Sequence, residues 1–229
     1  VGKHAIVLDA NNGRILHEKN ARLSAQVGQL QEIMTALVVC EAGDLEKRVK
    51  ITDEDTKVPG GKIGVKAGST HKRGDLVKAL LMKPANDIAN ALARDNAGTI
   101  DAFVAKMNAR GQFLGMGNTV FVTPHGSDAA GQKSTARDIA LLAWDAHHNE
   151  FIRDAVKTKS FRFDGKTVMN GNTLLHQQSY CTGMKSAKTD GARTCLVSSG
   201  EKLDRERIVV VLSSTDSWVW NCLLYTSPS

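Results

Sequence analysis

The chain has 229 residues, with 30 Lys plus Arg against 24 Asp plus Glu, a formal net charge of +6. Its 41% hydrophobic and 24% charged residues belong to an ordinary folded domain and exclude disorder, collagen and a dominant coiled coil. No apolar run approaches the roughly 18 residues of a membrane helix, and a 5% aromatic content without a basic-aromatic stripe gives no support for nucleic-acid binding.

In chain order, Ala5–Leu8 and Arg14–Glu18 read as two strands around the turn residues Asp9–Gly13. Leu30, Ile33, Met34, Leu37 and Val38 recur at helical spacing, which predicts a helix from about Gln29 to Ala42, ended by Gly43. The Gly- and Lys-rich stretch Lys50–Ser69 suggests small strands or hairpins. Asp75 is a candidate cap for a helix carrying Leu76, Val77, Leu80 and Leu81, which Pro84 must break. Further helices are expected from Asn86 or Asp87 to Gly98, from Thr99 through Met107, from a Ser134 cap through Ala143, and over Glu150–Val156.

The last third changes period. Phe161–Phe163, Lys166–Met169, Gly183–Lys185, Thr194–Ser198 and Arg207–Ser213 read as strands separated by Asp-Gly, Asn-Gly and charged turns. Strands at both ends with helices between them predict an α+β fold with a sheet built from the two termini. The expected organisation is a sheet-containing lobe from residues 1–22 and 155–215, a mainly helical lobe over 23–154, and a truncated or non-native tail over 216–229. Cys222–Ser229 looks like translated adapter read-through. No amino-terminal segment has the pattern of an export leader, so any such leader is expected to be gone already.

A family likeness emerges around Gln31-Glu-Ile-Met-Thr-Ala-Leu-Val-Val39. It continues through Val7-Leu-Asp9, Gly13-Arg14 and Leu16, Val58-Pro-Gly60, Ala85-Asn-Asp87 with Ala91-Leu-Ala93, Pro124-His-Gly126, Gly183-Met-Lys185, Cys195-Leu-Val197 and Ile208–Leu212. Taken in chain order, these segments resemble the peptidase domain of the serine-type D-alanyl-D-alanine carboxypeptidases, the low-molecular-mass penicillin-binding proteins of peptidase family S11. The resemblance covers residues 1–215. It implies the penicillin-binding transpeptidase/β-lactamase-like fold, an antiparallel sheet flanked by helices plus a helical lobe. It also implies removal of terminal D-alanine from peptidoglycan stem peptides through an acyl-serine, a periplasmic or otherwise extracytoplasmic location, and no cofactor.

That chemistry rests on three motifs, and the chain departs from each. A serine and a lysine at i and i+3 share one helix face, so the amine accepts the hydroxyl proton. This slot is Gln29-Leu-Gln-Glu32. A carboxamide is no acyl-accepting nucleophile, and Glu32 reverses the charge of the amine. The Ser-x-Asn slot is Pro84-Ala-Asn86, which keeps the asparagine but loses the relay hydroxyl. The Lys-Thr-Gly slot is Lys185-Ser-Ala187. Ser186 preserves a hydroxyl, whereas Ala187 adds a methyl group where substrate would lie close.

Two other Ser-x-x-Lys matches, Ser69–Lys72 and Ser199–Lys202, lack the apolar helix that must follow a nucleophile and read as chance. Lys188-Thr-Asp190 reads as part of a hairpin turn with Gly191. Glu32 is either a helix-start acid that pairs with Lys185 across the cleft or a base that activates water. His125 is expected to shape a turn, and the adjacent His147 and His148 point apart, so no metal site is expected. Cys181 and Cys195 either face each other on neighbouring strands, within reach of a disulfide, or remain free.

The chain is therefore expected to be a family domain that has lost catalysis. Asn86, Lys185, Ser186 and Ala187 would line a substrate-binding cleft beside the altered catalytic positions Gln29, Glu32, Pro84 and Asn86. The expected ligands are peptidoglycan stem peptides ending in D-Ala-D-Ala and non-covalently held β-lactams. The alternatives are a residual serine-type or water-activating peptidase and an inert reading frame.

Overall fold

In the computed structural model, which describes residues 2–215, both ends of the chain meet in one sheet. Strand β1 is His4–Asp9 and β2 is Ile15–Lys19. A 3-10 turn at Gly28–Gln31 leads into α1, Glu32–Glu41. Strand β3, Arg48–Lys50, is followed by α2 at Asp53–Thr56, β4 at Thr70–Lys72 and α3 at Arg73–Met82. Helices α4 (Asn86–Ala97), α5 (Ile100–Phe113), α6 (Ala136–His148) and α7 (Glu150–Lys157) come next. Strands β5 (Ser160–Phe163) and β6 (Lys166–Met169), helix α8 (Thr173–Gln177), and strands β7 (Cys181–Thr189), β8 (Arg193–Lys202) and β9 (Arg205–Ser214) complete the fold.

The five-stranded sheet runs β2-β1-β9-β8-β7 with every neighbouring pair antiparallel. Its central strands β1 and β9 are apolar on both faces, because both faces are covered. Ile6, Leu8, Val197, Ile208 and Val210 pack against the helices, while Val7, Leu196, Val209 and Val211 join Leu174 and Leu175 on the opposite face. The outer strand β2 carries His17, Glu18 and Lys19, charged or polar residues that keep an open edge from pairing. Residues Glu32–Val39 of α1 are all buried, as befits a helix that runs through the middle of the core.

The helix boundaries show how local signals compete. Gly43, in the left-handed conformation, closes α1 as expected. Lys83 is extended before Pro84, which ends α3. Thr99 caps α5 by accepting from Ala102 N. Two caps differ from expectation. Helix α3 begins at Arg73 with Lys72 before it, so Asp75 lies within its first turn, where the macrodipole still favours an acid. Thr135, not Ser134, caps α6 through Asp138 N, and Ser134 instead shares a hydrogen bond with Thr119.

Two larger departures concern segments 50–69 and 181–202. The first is not a set of hairpins: it holds the short helix α2, started by a reciprocal capping box between Thr52 and Asp55. The second is more extended than expected, with β7 and β8 of nine and ten residues. Ser199 is therefore a buried residue inside β8, not part of a charged turn. Cys181 pairs with Gly200 and Cys195 with Ala187, so the two thiols do not face each other, and both are free. Residues 216–229, including the expected non-native tail, lie outside the described residues.

Candidate active-site cleft

The 3-10 turn sets Gln29 at the entrance to α1, and the edge strand β7 passes beside it. Gly28 holds a positive φ of 55°, and a side chain there would meet Ala187 and Ala192 at 3.5 and 3.4 Å. The methyl group of Ala187 thus occupies the narrow space between edge strand and turn. From the other side comes the Pro124-His-Gly126 loop. Thr35 Oγ1 donates to Pro124 O at 2.5 Å, Gln31 Nε2 donates to Thr123 O, and Gly126 N donates to Thr123 Oγ1 at 3.0 Å. His125 is buried, its imidazole is pushed down to about 4 by desolvation, and its Nδ1 accepts from Ser127 N at 3.2 Å. The loop is therefore a clamp on the start of α1.

Gly126 makes that clamp possible. Its φ is 82°, and an added Cβ would lie 2.2 Å from Gly28 O, a backbone atom that cannot swing away. Gly126→Ala is expected to cost more than about 2 kcal/mol, from left-handed strain and a forced backbone shift together. Chemical denaturation would show it as a lowered midpoint with an unchanged slope.

Glu32 and Lys185 meet at the bottom of the cleft. Lys185 Nζ lies 2.7 Å from Glu32 Oε2 and donates to Leu80 O at 2.6 Å. Glu32 Oε1 accepts from Ala85 N at 3.2 Å. Both side chains are essentially sealed from solvent, at 0% and 1% exposure. Burial pushes the Glu32 carboxyl up to about 7, against the pull of Lys185. The pairing across the cleft, one of the two expectations for Glu32, is what the structure contains.

The Ser-x-Asn position is also occupied. Asn86 Nδ2 donates to Pro59 O at 2.6 Å and to Ser127 Oγ at 2.8 Å. Its Oδ1 and the Oε1 of Gln29 are buried with no hydrogen-bond partner among the described residues. Pro84 precedes Ala85 and offers no hydroxyl. Asp87 accepts from Ile63, Gly64 and Val65 N, which ties the 60s loop to α4. On the exposed side, Ser186 Oγ donates to Gly171 O at 2.9 Å.

The structure brings together Gln29, Glu32, Asn86, Lys185 and Ala187 around one cleft, with Ser186 on its rim. Sequence reasoning missed Ser127 and Asp128. Asp128 accepts from Thr189 Oγ1 at 2.8 Å and from Gly191 N at 3.1 Å, and so ties the Pro-His-Gly loop to the turn between β7 and β8. The only signal was their position directly after Pro-His-Gly. Among the described residues no cluster of three or more His, Cys, Asp or Glu side chains could hold a metal ion.

An antiparallel sheet whose edge strand lies beside a buried helix start, with an asparagine loop opposite, defines the architecture of the serine DD-peptidases. The D-alanyl-D-alanine carboxypeptidase family S11 matches residues 1–216, and the chain belongs to that family. It is 36% identical over 226 residues to the D-alanyl-D-alanine carboxypeptidase DacC of Escherichia coli, covering 91% of this chain and 56% of that protein. DacF of Bacillus subtilis is 27% identical, over 93% of this chain and 57% of that one. The chain thus spans about half the length of these curated relatives. Among solved structures, a mutant of a Streptomyces DD-transpeptidase superimposes with a TM-score of 0.93 at 25% identity, covering 99% of this chain and 95% of that one. A D-alanyl-D-alanine carboxypeptidase from Mycobacterium tuberculosis gives a TM-score of 0.89 at 27% identity, over 95% and 84% of the two chains. The expected fold is therefore the observed one.

Proposed function

We propose that this chain is a catalytically silent D-alanyl-D-alanine carboxypeptidase domain that retains weak, non-covalent recognition of peptidoglycan stem peptides ending in D-Ala-D-Ala. The observation that carries the reading is the buried Glu32–Lys185 pair behind Gln29. The position that should carry the proton acceptor is an acid already engaged with the lysine of the third motif, and the position in front of it is a carboxamide without nucleophilic character. A value near 7 would suit Glu32 as a general base for water. Its full burial and the contacts of its two oxygens with Lys185 and Ala85 argue against that use.

Recognition would rest on the rim. The hydroxyl of Ser186 and the open edge of β7 are accessible. By the same family relation the domain would work outside the cytoplasm, where its +6 charge suits an anionic wall.

Two measurements test the reading. With a fluorescent penicillin, the protein is expected to show no covalent label after denaturation; a label would overturn catalytic silence. Calorimetry with an N-acyl-D-Ala-D-Ala peptide is expected to give saturable heat at millimolar ligand. No heat there would remove the recognition claim and leave only the fold.

A further inference from the structure

Away from the cleft, a hollow of about 260 Å³ opens between the β1–β2 hairpin and α6. Ile6, Leu8, Ile15, Ala140, Leu141 and Trp144 form its apolar wall, and none of these residues belongs to the site described above. The wall is rigid. Trp144 Nε1 donates to Ala10 O at 2.9 Å, which fixes the indole, and Gly13 lets the hairpin turn approach the ring, since an added Cβ would lie 3.3 Å from it.

The mouth of the hollow is polar and carries one guanidinium. Arg137 and Asn12 line it. The carboxylate beside Arg137 belongs to Asp138, whose Oδ2 accepts from Asn118 N at 2.9 Å and Thr119 Oγ1 at 2.8 Å. Its Oδ1 lies 3.7 Å from the guanidinium, too far for a hydrogen bond. Among the described residues the Arg137 side chain makes no hydrogen bond, so its donor fork is unspent. Asn12 Oδ1 accepts from Arg14 N, which leaves the amide nitrogen for a ligand.

We propose that this hollow binds a free medium-chain carboxylate, with the chain along the Trp144 wall and the carboxylate on Arg137 and Asn12. An apolar cavity with a few convergent donors at one end is how proteins take up such amphiphiles, and a guanidinium matches a carboxylate with two parallel hydrogen bonds. At roughly 30 Å³ for each methylene-sized group, close to the volume of one liquid water, the cavity takes a chain of about eight carbons.

The test is calorimetry on the 229-residue protein with octanoate below its micelle concentration, beside octan-1-ol and octylamine. Octanoate is expected to bind at one site, about tenfold tighter than octan-1-ol, with octylamine silent. Arg137→Gln is expected to bring octanoate down to the affinity of octan-1-ol and to leave the alcohol unchanged. Ile15→Glu, at a rim position 42% exposed and so tolerant of a polar side chain, should abolish octanoate binding by like-charge repulsion. No heat at millimolar octanoate would overturn the proposal. So would equal affinities for octanoate and octan-1-ol, or octanoate binding that neither variant changes.

Discussion

The chain carrying Gln29→Ser, Glu32→Lys, Pro84→Ser and Ala187→Gly is expected to take up one fluorescent penicillin covalently, where the unaltered chain stays at background. The reason is the distance across the cleft. Glu32 and Lys185 already stand 2.7 Å apart, so Glu32→Lys places two amines in a site sealed from water. Two ammonium ions cannot both persist there, and one amine must lose its proton near neutral pH. A neutral amine one helical turn behind the hydroxyl introduced by Gln29→Ser is the base that nucleophile needs. Pro84→Ser returns the relay hydroxyl, and Ala187→Gly removes the methyl group wedged against Gly28.

The effect should be strongly non-additive. Nucleophile and base act as a unit, so Gln29→Ser alone, which leaves Glu32 tied to Lys185, should recover almost none of it. The three other substitutions without Gln29→Ser should label no more than the parent chain. Mass spectrometry locating the penicilloyl group on the residue introduced at position 29 would secure the assignment. A fourfold variant that folds and still takes no label would mean that this scaffold no longer holds the two faces of the cleft in productive register.

The architecture was legible because the apolar periods and the family's ordered segments point the same way. Both ends of the chain read as strands, the middle as helices, and the sheet contains those ends. Where they diverged, composition misled. Segment 50–69 is rich in Gly and Lys, which suggests turns, yet Thr52 and Asp55 spell a capping box three residues apart, a stronger local statement than the glycines around it. Ser134 was the expected cap of α6, but its hydroxyl is engaged with the tertiary partner Thr119, and the adjacent Thr135 takes the role. The cysteine register depended on the true lengths of β7 and β8, which a short apolar run does not fix.

The cleft was legible in part for a different reason. The slots are found by alignment with the motif residues around them, so Gln29, Glu32, Asn86 and Lys185 are drawn into one place by the fold. What alignment does not show is which hydrogen bonds those residues have already spent. That Asn86 Nδ2 is committed to Pro59 and Ser127, and that Asp128 ties one loop to the β7–β8 turn, follow from backbone paths far apart in sequence.

Lys185→Met is expected to be tolerated in acid and increasingly damaging as pH rises. In the parent protein burial pushes the Glu32 carboxyl from 4.5 up to about 7. Between those values the folded chain holds a proton that the unfolded chain has released. This contribution to stability is therefore fully present below 4.5 and is lost as pH rises through about 7. Removing the lysine takes away the main attraction that favours the ionised carboxyl and leaves only the bond from Ala85 N, so its pKa rises further. Below pH 5 both chains carry a neutral Glu32, and the substitution should change stability little. Above 7 the parent gains its ion pair and the variant does not, so the variant falls behind by up to about 1.4 kcal/mol per pH unit, towards the roughly 3–5 kcal/mol typical of an uncompensated buried charge. Adding Glu32→Leu to Lys185→Met removes both charges and should erase the pH dependence, with stability equal to or above the parent, because apolar groups of similar volume avoid the desolvation of a buried pair. Urea denaturation of the three proteins at pH 5, 7 and 9 decides it. A destabilisation by Lys185→Met that stays constant over that range would show that the pair does not exchange its proton, and that Lys185 acts through packing and its bond to Leu80 O alone.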